Sequence, residues 1–251
     1  MHKITVAILT CDRLSLTKKT TDSFISHNGR DNFDVYYGDD ASSSDEIHEF
    51  MKKRDIPCLV RHDRRLGCSP TTEELINKAM ECSNNEYIMY LQNDFETVRP
   101  IDIDLVERIF EDREVGWIRL AGIYWNNTEK ESRAYSTVHG RLPDKPEVEW
   151  GPYDIGEEAL EITTAPWSHH PSIARRSVLQ KIVKNIKREV DAVQNAYKTN
   201  LKAVRFLDNI TNHIGTKQST PCGKFGNRRR IRPIEKCVKR VLSAIGLRKV
   251  A

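Results

Sequence analysis

A group of polar residues directly follows a strongly apolar segment in the middle of the chain. Residues 87–91 have the composition of a buried strand, and they run into Gln92-Asn93-Asp94-Phe95-Glu96. Asp94 and Glu96 stand two residues apart, so both can face one cation from a tight turn. Carboxylate oxygens suit hard divalent ions such as Mg²⁺ or Mn²⁺. The residues therefore predict a metal site at the end of a strand.

Polar residues also follow other apolar segments. The first group can hydrogen-bond a base or a ribose, and the second is followed by small serines that leave room for a ligand. The second group can instead form a turn and the N-cap of the next helix, which the serines would suit equally well. The third group can contact a diphosphate or stay solvated. The three groups are Thr10, Cys11, Asp12 and Arg13; Asp39 and Asp40; and Arg64, Arg65 and Gly67.

Strand-like and helix-like patterns alternate over the first 125 residues. This alternation predicts an α/β fold with a mostly parallel sheet and helices on both faces. Ligands of such sheets bind beyond the carboxyl ends of the strands, where the polar groups lie. The predicted strands cover residues 3–10, 33–38, 57–62, 86–92 and 116–121, and the predicted helices cover residues 15–27, 44–54, 70–82 and 102–112.

The pattern changes after residue 125. Residues 125–166 lose the alternation, and we expect a long excursion across the sheet that lines the site. A helix is predicted from residue 172 to residue 198, with a break near 185–188. A short strand is predicted at 203–207.

Taken in order, these motifs resemble the nucleotide-binding half of a GT-A glycosyltransferase of family 2. The second strand of that family commonly ends in Asp-Asp-x-Ser-x-Asp, which Asp39 opens here, and the fourth ends in an Asp-x-Asp metal motif. His213-x-Gly215 resembles the histidine that closes the metal site in many GT-A enzymes. The resemblance covers roughly residues 3–218 and implies a Rossmann-like GT-A fold.

The resemblance implies a nucleotide-sugar donor, a UDP- or GDP-sugar, with Mn²⁺ or Mg²⁺ between its phosphates. One departure is that Gln92 replaces the first acid of the metal motif. Either Asp94 binds the metal, helped by Glu96 or His213, or the metal is dispensable; we expect Asp94 with His213. The donor-binding residues that the resemblance implies are Thr10, Asp12, Arg13, Asp39, Asp40, Arg65, Gly67, Asn93 and Asp94.

A carboxylate must accept the proton of the acceptor hydroxyl if the reaction inverts, as is usual in the family. The segment "SIARRSVLQKI" resembles the Arg-Arg segment that precedes the acidic motif of the family. The acidic residues downstream can also form a solvated helix face among lysines. The candidate bases are Glu189 first, Asp191 second, and Glu157 or Glu158 as a further alternative.

The segment "TAPWSHHPS" is expected to lie on the acceptor side of the site. Trp167 can stack on a sugar ring, and His169 and His170 can donate hydrogen bonds to a glycan or lipid-linked acceptor. The alternative is that Trp167 packs beneath the loop.

The carboxyl-terminal residues differ in charge from the rest of the chain. Residues 224–251 hold ten of the 40 Lys and Arg and one of the 36 Asp and Glu, which leaves 30 basic and 35 acidic residues before them. Residues 233–245 have one apolar stripe and predict a basic amphipathic helix. It suits an anionic membrane surface, or it packs on the catalytic domain or a partner subunit.

The expected organisation is a catalytic domain over residues 1–218 and a basic tail over residues 219–251. Residues 1–125 form the nucleotide-sugar half and residues 126–218 the acceptor half of that domain. The acidic body offers no continuing basic face, so we expect no nucleic-acid partner. The six cysteines include no Cys-x-x-Cys pair, which favours reduced thiols and a cytoplasmic location, with peripheral membrane contact through the tail.

Two other functions remain open from the sequence. A nucleotidyltransferase on a related sheet would usually show a glycine-rich loop after the first strand, and "TCDRLSLTKK" has no glycine there. A non-catalytic scaffold that binds nucleotides or glycans is supported by the missing acid at Gln92.

Overall fold

Strands and helices alternate through the first 120 residues, as the apolar periodicity predicts. The computed structural model describes residues 3–120, 151–155, 160–163, 167 and 169–215. Its strands are β1 (Ile4–Thr10), β2 (Phe33–Asp39), β3 (Cys58–Arg61), β4 (Tyr87–Gln92), β5 (Phe95–Thr97), β6 (Val115–Arg119), β7 (Gly151–Tyr153), β8 (Leu160–Thr163), β9 (Ser172–Arg175), β10 (Lys202–Phe206) and β11 (Thr211–His213). Its helices are α1 (Leu14–Asn28), α2 (Glu46–Lys52), α3 (Cys68–Cys82), α4 (Ile103–Glu111), α5 (Arg176–Ile182) and α6 (Glu189–Tyr197).

The central sheet has nine strands in the order β3-β2-β1-β4-β9-β6-β10-β8-β7. Strand β9 is antiparallel to both of its neighbours, and so is β8. The other seven strands therefore share one direction, which confirms the predicted α/β fold with a mostly parallel sheet. Strands β5 and β11 form a separate antiparallel pair.

Strand β1 is buried along its whole length, and its side chains pack against apolar residues on both faces of the sheet. Val6 and Ile8 belong to one apolar cluster, and Ala7 and Leu9 belong to the other. This division follows from the alternation of side chains along a strand, and it explains why the segment reads as a continuous apolar run. Strand β1 lies between β2 and β4, so its last residue, the buried Thr10, lies at the carboxyl edge of the sheet between the ends of those two strands.

The helix predicted from residue 172 is wrong at its start. Residues Ser172–Arg175 form β9, which pairs with β4 and β6 and is fully buried. Pairing with two distant strands outweighs the helical pattern that these residues share with α5. The predicted break is confirmed, because α5 ends at Ile182 and α6 begins at Glu189.

Strands β5 and β11 were not predicted, since three residues give too short a periodicity. Their pairing sets His213 opposite Phe95 and Asn212 opposite Glu96. This register carries the carboxyl-terminal part of the described chain back to the residues that follow β4.

Within residues 125–166, the described parts form strands β7 and β8 at the end of the sheet farthest from β3. The prediction of a long excursion across the sheet is therefore wrong for these residues, which add two strands to the sheet instead. Glu157, Glu158 and the tail over residues 219–251 lie outside the described residues. Among the helices that the structure describes, none is both long and apolar enough to cross a membrane.

Two consecutive arginines bind the carboxyl ends of two helices. Arg175 Nε donates to the Val115 carbonyl at 3.4 Å, and the same guanidinium reaches carbonyls at the end of α4. Arg176 donates to the Met80 carbonyl at 2.5 Å and to the Ser83 carbonyl, at the end of α3. Terminal helix carbonyls lack partners within the helix and favour a cation. The Arg-Arg segment therefore has a structural role in this chain.

Replacing Arg175 with methionine is expected to lower the free energy of unfolding by about 2–3 kcal/mol, because buried carbonyls lose a charged donor. Urea denaturation measures the change. The matched control is Arg113→Met at an exposed position, which should change the free energy by less than about 0.5 kcal/mol. Equal effects of the two substitutions would contradict the capping role.

Candidate active site

The end of β2 is fixed by the carboxylate of Asp39, which is 1% exposed. Asp39 Oδ1 accepts a hydrogen bond from Thr10 Oγ1 at 2.9 Å, and Oδ2 accepts one from the Ser42 backbone N–H at 2.8 Å. His48 Nε2 lies 3.6 Å from the same Oδ2. The structure thus brings the predicted residues Thr10 and Asp39 together, and the bonds hold both side chains in one position.

Asp40 holds the loop that precedes α3. Its two carboxylate oxygens accept hydrogen bonds from the backbone N–H groups of Leu66 and Gly67, at 2.8 and 2.9 Å. Gly67 has a φ of 100°, a conformation that only glycine adopts at low cost. The hydrogen bond between the Gly67 backbone and the Asp40 carboxylate therefore helps to position the loop that carries Arg65.

Asp12 joins the loops after β1 and β2 to Arg65. Its Oδ1 accepts hydrogen bonds from the Ser43 backbone N–H at 2.7 Å and from Ser43 Oγ at 2.9 Å. Its Oδ2 pairs with Arg65. Asp12 and Arg13 both have left-handed backbone angles, with φ of 50° and 57°. This turn directs the guanidinium of Arg13 toward the end of β4, where it contacts Asn93 and Asp94.

Asn93 fixes Arg13 from the other side. Its Oδ1 accepts a hydrogen bond from Arg13 at 3.1 Å, and its Nδ2 donates to Thr17 Oγ1 at 3.1 Å. Asn93 is 3% exposed. The side chain is thus committed to bonds within the protein, and its role is to position Arg13.

Asp94 is the point at which distant parts of the chain meet. Its Oδ2 lies 3.2 Å from Arg13 and 3.4 Å from His213 Nε2. Its Oδ1 is buried and has no hydrogen-bond partner among the described residues. Burial raises the pKa of Asp94, but the contacts with His213 and Arg13 outweigh this effect and hold the pKa below its ordinary value. The carboxylate is therefore ionised, with one oxygen left for a ligand.

The structure separates Glu96 from the predicted metal site. Glu96 lies in β5 and pairs with Lys19 at 2.9 Å. In the described part of the chain, no group of three or more His, Cys, Asp and Glu residues is arranged to hold a metal ion. Asp94 and the imidazole of His213 are the residues that would hold a divalent cation. Carboxylates suit Mg²⁺ and Mn²⁺ and imidazole suits transition metals, and substrate phosphates and water commonly complete a Mg²⁺ site.

Gly215 explains the His-x-Gly spacing. The Ile214 backbone N–H donates to the Asp94 carbonyl at 2.8 Å, which draws the chain after β11 against Asp94. A Cβ atom on Gly215 would lie 2.7 Å from both Asp94 Cβ and Asp94 Oδ2. A residue without a side chain is therefore required two positions after His213.

A second polar cluster lies beside the end of β4. Gln92 Nε2 donates to Cys68 Sγ at 3.2 Å and to the Tyr90 hydroxyl at 3.3 Å. The sequence indicated only that Gln92 lacks a charge, and Cys68 was missed entirely. Its position directly after Gly67, at the start of a helix, is the one local signal that would have singled it out.

The residues predicted on the acceptor side belong to this cluster or lie next to it. Trp167 is 1% exposed and donates from Nε1 to Ser172 Oγ at 2.8 Å, so it packs in the interior and stacking on a sugar ring is not available to it. His169 is buried with its ring 5.4 Å from that of Trp167. His170 lies 3.4 Å from Arg119, and burial and then the Arg119 charge keep its pKa well below the ordinary value.

The two candidate bases differ in what they contact. Asp191 Oδ2 accepts hydrogen bonds from the backbone N–H groups of Lys187 and Arg188, at 3.0 and 2.9 Å. Asp191 therefore caps α6, and this use of its carboxylate argues against a role as the base. Glu189, the first residue of α6, is half-buried, and its Oε1 lies 3.4 Å from the His169 backbone N–H.

The chain is similar to a known protein family and to solved structures. A model of the family described as "Glycosyl transferase family 2" matches residues 5–183. Among solved structures, a mannosyltransferase from Pyrobaculum calidifontis in complex with GDP-Man and Mn²⁺ matches with a TM-score of 0.57 and 15% sequence identity. The match covers 100% of this chain and 66% of that one, and at this identity it shows the shared fold. A search of the curated proteins finds no match.

Gly215→Ala is expected to displace Asp94 or the end of β11 and to lower the free energy of unfolding by about 1–3 kcal/mol, as overpacking does. Urea denaturation measures the effect. The matched control is Gly151→Ala, because a Cβ at Gly151 meets nothing within 4 Å. An unchanged free energy for Gly215→Ala would show that the contact with Asp94 is looser than the structure indicates.

Proposed function

The chain belongs to glycosyl transferase family 2, and from this premise we propose that it transfers a sugar from a nucleoside-diphosphate donor to an acceptor hydroxyl. The observation that carries the proposal is Asp94, an ionised carboxylate with one buried oxygen that has no hydrogen-bond partner among the described residues. Such an oxygen is costly unless a ligand completes it. The guanidinium of Arg13 and the imidazole of His213 lie beside it, and the guanidinium suits an anionic ligand.

The donor is proposed to lie across the carboxyl ends of β1, β2 and β4. Thr10 and Asp39 bond each other at the ends of β1 and β2, where a base or ribose is proposed to bind, and Arg13 and Arg65 are proposed to supply positive charge for a diphosphate. A UDP- or GDP-sugar fits this arrangement. Because the mannosyltransferase from Pyrobaculum calidifontis was solved with GDP-Man, GDP-mannose is the first donor to test.

Asp94 and His213 are the residues that would hold Mn²⁺ or Mg²⁺. A bound divalent cation offsets the negative charge that grows on the departing diphosphate. Arg13 contributes to the same end, because its guanidinium already lies within 3.2 Å of Asp94 and is positioned before the donor arrives. Gln92 and Glu96 have no part in this proposal, since their side chains bind Cys68 and Lys19.

Glu189 is the proposed base. As the acceptor oxygen bonds to the anomeric carbon, the bond to the diphosphate breaks and Glu189 accepts the hydroxyl proton, which corresponds to an inverting reaction. Its half-buried position at the start of α6 leaves its carboxylate near the polar cluster at the end of β4. The acceptor is proposed to be a hydroxyl of a glycan, of a lipid-linked molecule or of a protein. Contact of residues 224–251 with an anionic membrane surface is proposed from the sequence alone.

The release of nucleoside diphosphate from GDP-mannose and from a panel of UDP-sugars, with Mn²⁺ present, tests this function. Glu189→Gln is expected to lower kcat by about 100-fold or more with little change in KM, because a base acts only in the transition state. Asp94→Asn is expected to abolish the stimulation by Mn²⁺. The matched controls, Glu111→Gln and Asp104→Asn, change exposed carboxylates of α4.

Retention of the full rate by Glu189→Gln would overturn the assignment of the base. Binding of a nucleotide without any turnover would favour the non-catalytic scaffold that Gln92 supports. Release of pyrophosphate from a nucleoside triphosphate and a sugar phosphate would favour the nucleotidyltransferase.

A further inference from the structure

Cys68 lies in a site built for a thiolate. It is the first residue of α3, a helix of 15 residues, and the positive end of a helix favours a negatively charged sulfur. Gln92 Nε2 donates to Cys68 Sγ at 3.2 Å, and the hydroxyl oxygens of Tyr90 and Thr72 lie 3.7 and 3.8 Å from the same sulfur. The two hydroxyls also bond each other at 2.9 Å, so Gln92 and one of the two hydroxyls can donate to the sulfur at the same time.

His169 supplies a cation to the same site. It is 5% exposed, and its Nε2 has no hydrogen-bond partner among the described residues. Its charge acts on Cys68, and Glu189 is close enough to stabilise the protonated ring. The His169 ring lies 6.2 Å from the ring of Tyr90, whose hydroxyl lies 3.7 Å from Cys68 Sγ. A buried imidazole next to such a cluster is a group that can activate a cysteine.

The pKa shifts of Cys68 and His169 agree with a negatively charged sulfur next to a protonated imidazole. Burial raises the pKa of the Cys68 thiol, but the His169 charge and the hydrogen bonds outweigh it and lower the net pKa. Burial lowers the pKa of His169, and the charges of Cys68 and Glu189 raise it above its ordinary value. The ionisable groups that face the pair are Tyr90, Glu189 and His170.

The amide at Gln92 is compatible with this site. A carboxylate at this position would bring a second negative charge against the sulfur, whereas the Gln92 amide donates a hydrogen bond to it. An amide rather than an acid at Gln92, two residues before Asp94, therefore suits a thiolate at Cys68.

We propose that Cys68 and His169 form a thiolate–imidazolium pair, and that Cys68 is the site at which peroxides and small electrophiles modify and inactivate the enzyme. The thiolate attacks one oxygen of a peroxide. The S–O bond forms as the O–O bond breaks, so the sulfur is oxidised to a sulfenic acid. The departing hydroxide takes the imidazolium proton and leaves as water. Only the loss of transfer activity rests on the proposed function.

The pair is tested by measuring alkylation with iodoacetamide at each cysteine by mass spectrometry, between pH 6.5 and 8.5. The rate at Cys68 is expected to change by less than about threefold, because a thiolate is already present, while an ordinary thiol gains about 50-fold over this range. Cys82 is the matched control, since it is exposed and ends the same helix. A Cys68 rate that rises in parallel with that of Cys82 would overturn the proposal.

Two variants extend the test. His169→Gln removes the cation and is expected to give alkylation of Cys68 the steep pH dependence of an ordinary thiol. A profile that stays flat would show that His169 is not the partner.

Hydrogen peroxide should inactivate the wild-type protein, while the peroxide-treated Cys68→Ser variant should keep most of the transfer rate that it has without peroxide. Equal inactivation of both proteins would place the sensitive residue elsewhere. The alkylation profile needs no donor, so it is interpretable even if glycosyl transfer is not found.

Discussion

The carboxylate of Asp94 is held between the guanidinium of Arg13 and the imidazole of His213, residues 200 positions apart in the chain. An ionised carboxylate in a buried position is unfavourable unless charges and donors surround it. Much of the local architecture serves this requirement. The left-handed turn at Asp12 and Arg13 brings in the guanidinium, and the β5–β11 pair brings in the imidazole. The other carboxylate oxygen, Oδ1, has no hydrogen-bond partner among the described residues, and it is the atom that the proposed ligand would complete.

The loops around this carboxylate are fixed by other polar residues rather than by apolar packing. Asp40 and Asp12 each accept hydrogen bonds from a neighbouring loop. Asp39 accepts one from Thr10 at the end of β1 and one from Ser42 in its own loop. These bonds use most of the capacity of the carboxylates, so the residues position the site before a donor arrives. Preorganised groups do not have to reorient when charge develops on a leaving group. The cluster of Cys68, Gln92 and His169 is the exception, because its groups are arranged around a sulfur.

The sequence predicted those parts of the structure that depend on local pattern. Buried strands such as β1 follow from their apolar residues, and the order of polar strand ends located Thr10, Asp39 and Asp94. Strand β9 was missed because its conformation depends on pairing with β4 and β6. Glu96 and Asp191 were candidates by residue type, but a salt bridge to Lys19 and the cap of α6 use their carboxylates. The cysteine site involves four separate segments, and no single stretch of sequence reveals it.

The most direct test of the central claim is a thermal-shift measurement with GDP and UDP, each with Mn²⁺ or with EDTA, on the wild-type protein and on Asp94→Asn. A ligand at 100 times its dissociation constant stabilises the native state by about 2.7 kcal/mol, which is readily measured. We expect one nucleotide to stabilise the wild-type protein in Mn²⁺, and this stabilisation to be lost in EDTA and in Asp94→Asn. Stabilisation that persists in EDTA and in Asp94→Asn would contradict the claim that Asp94 completes a nucleotide–metal site.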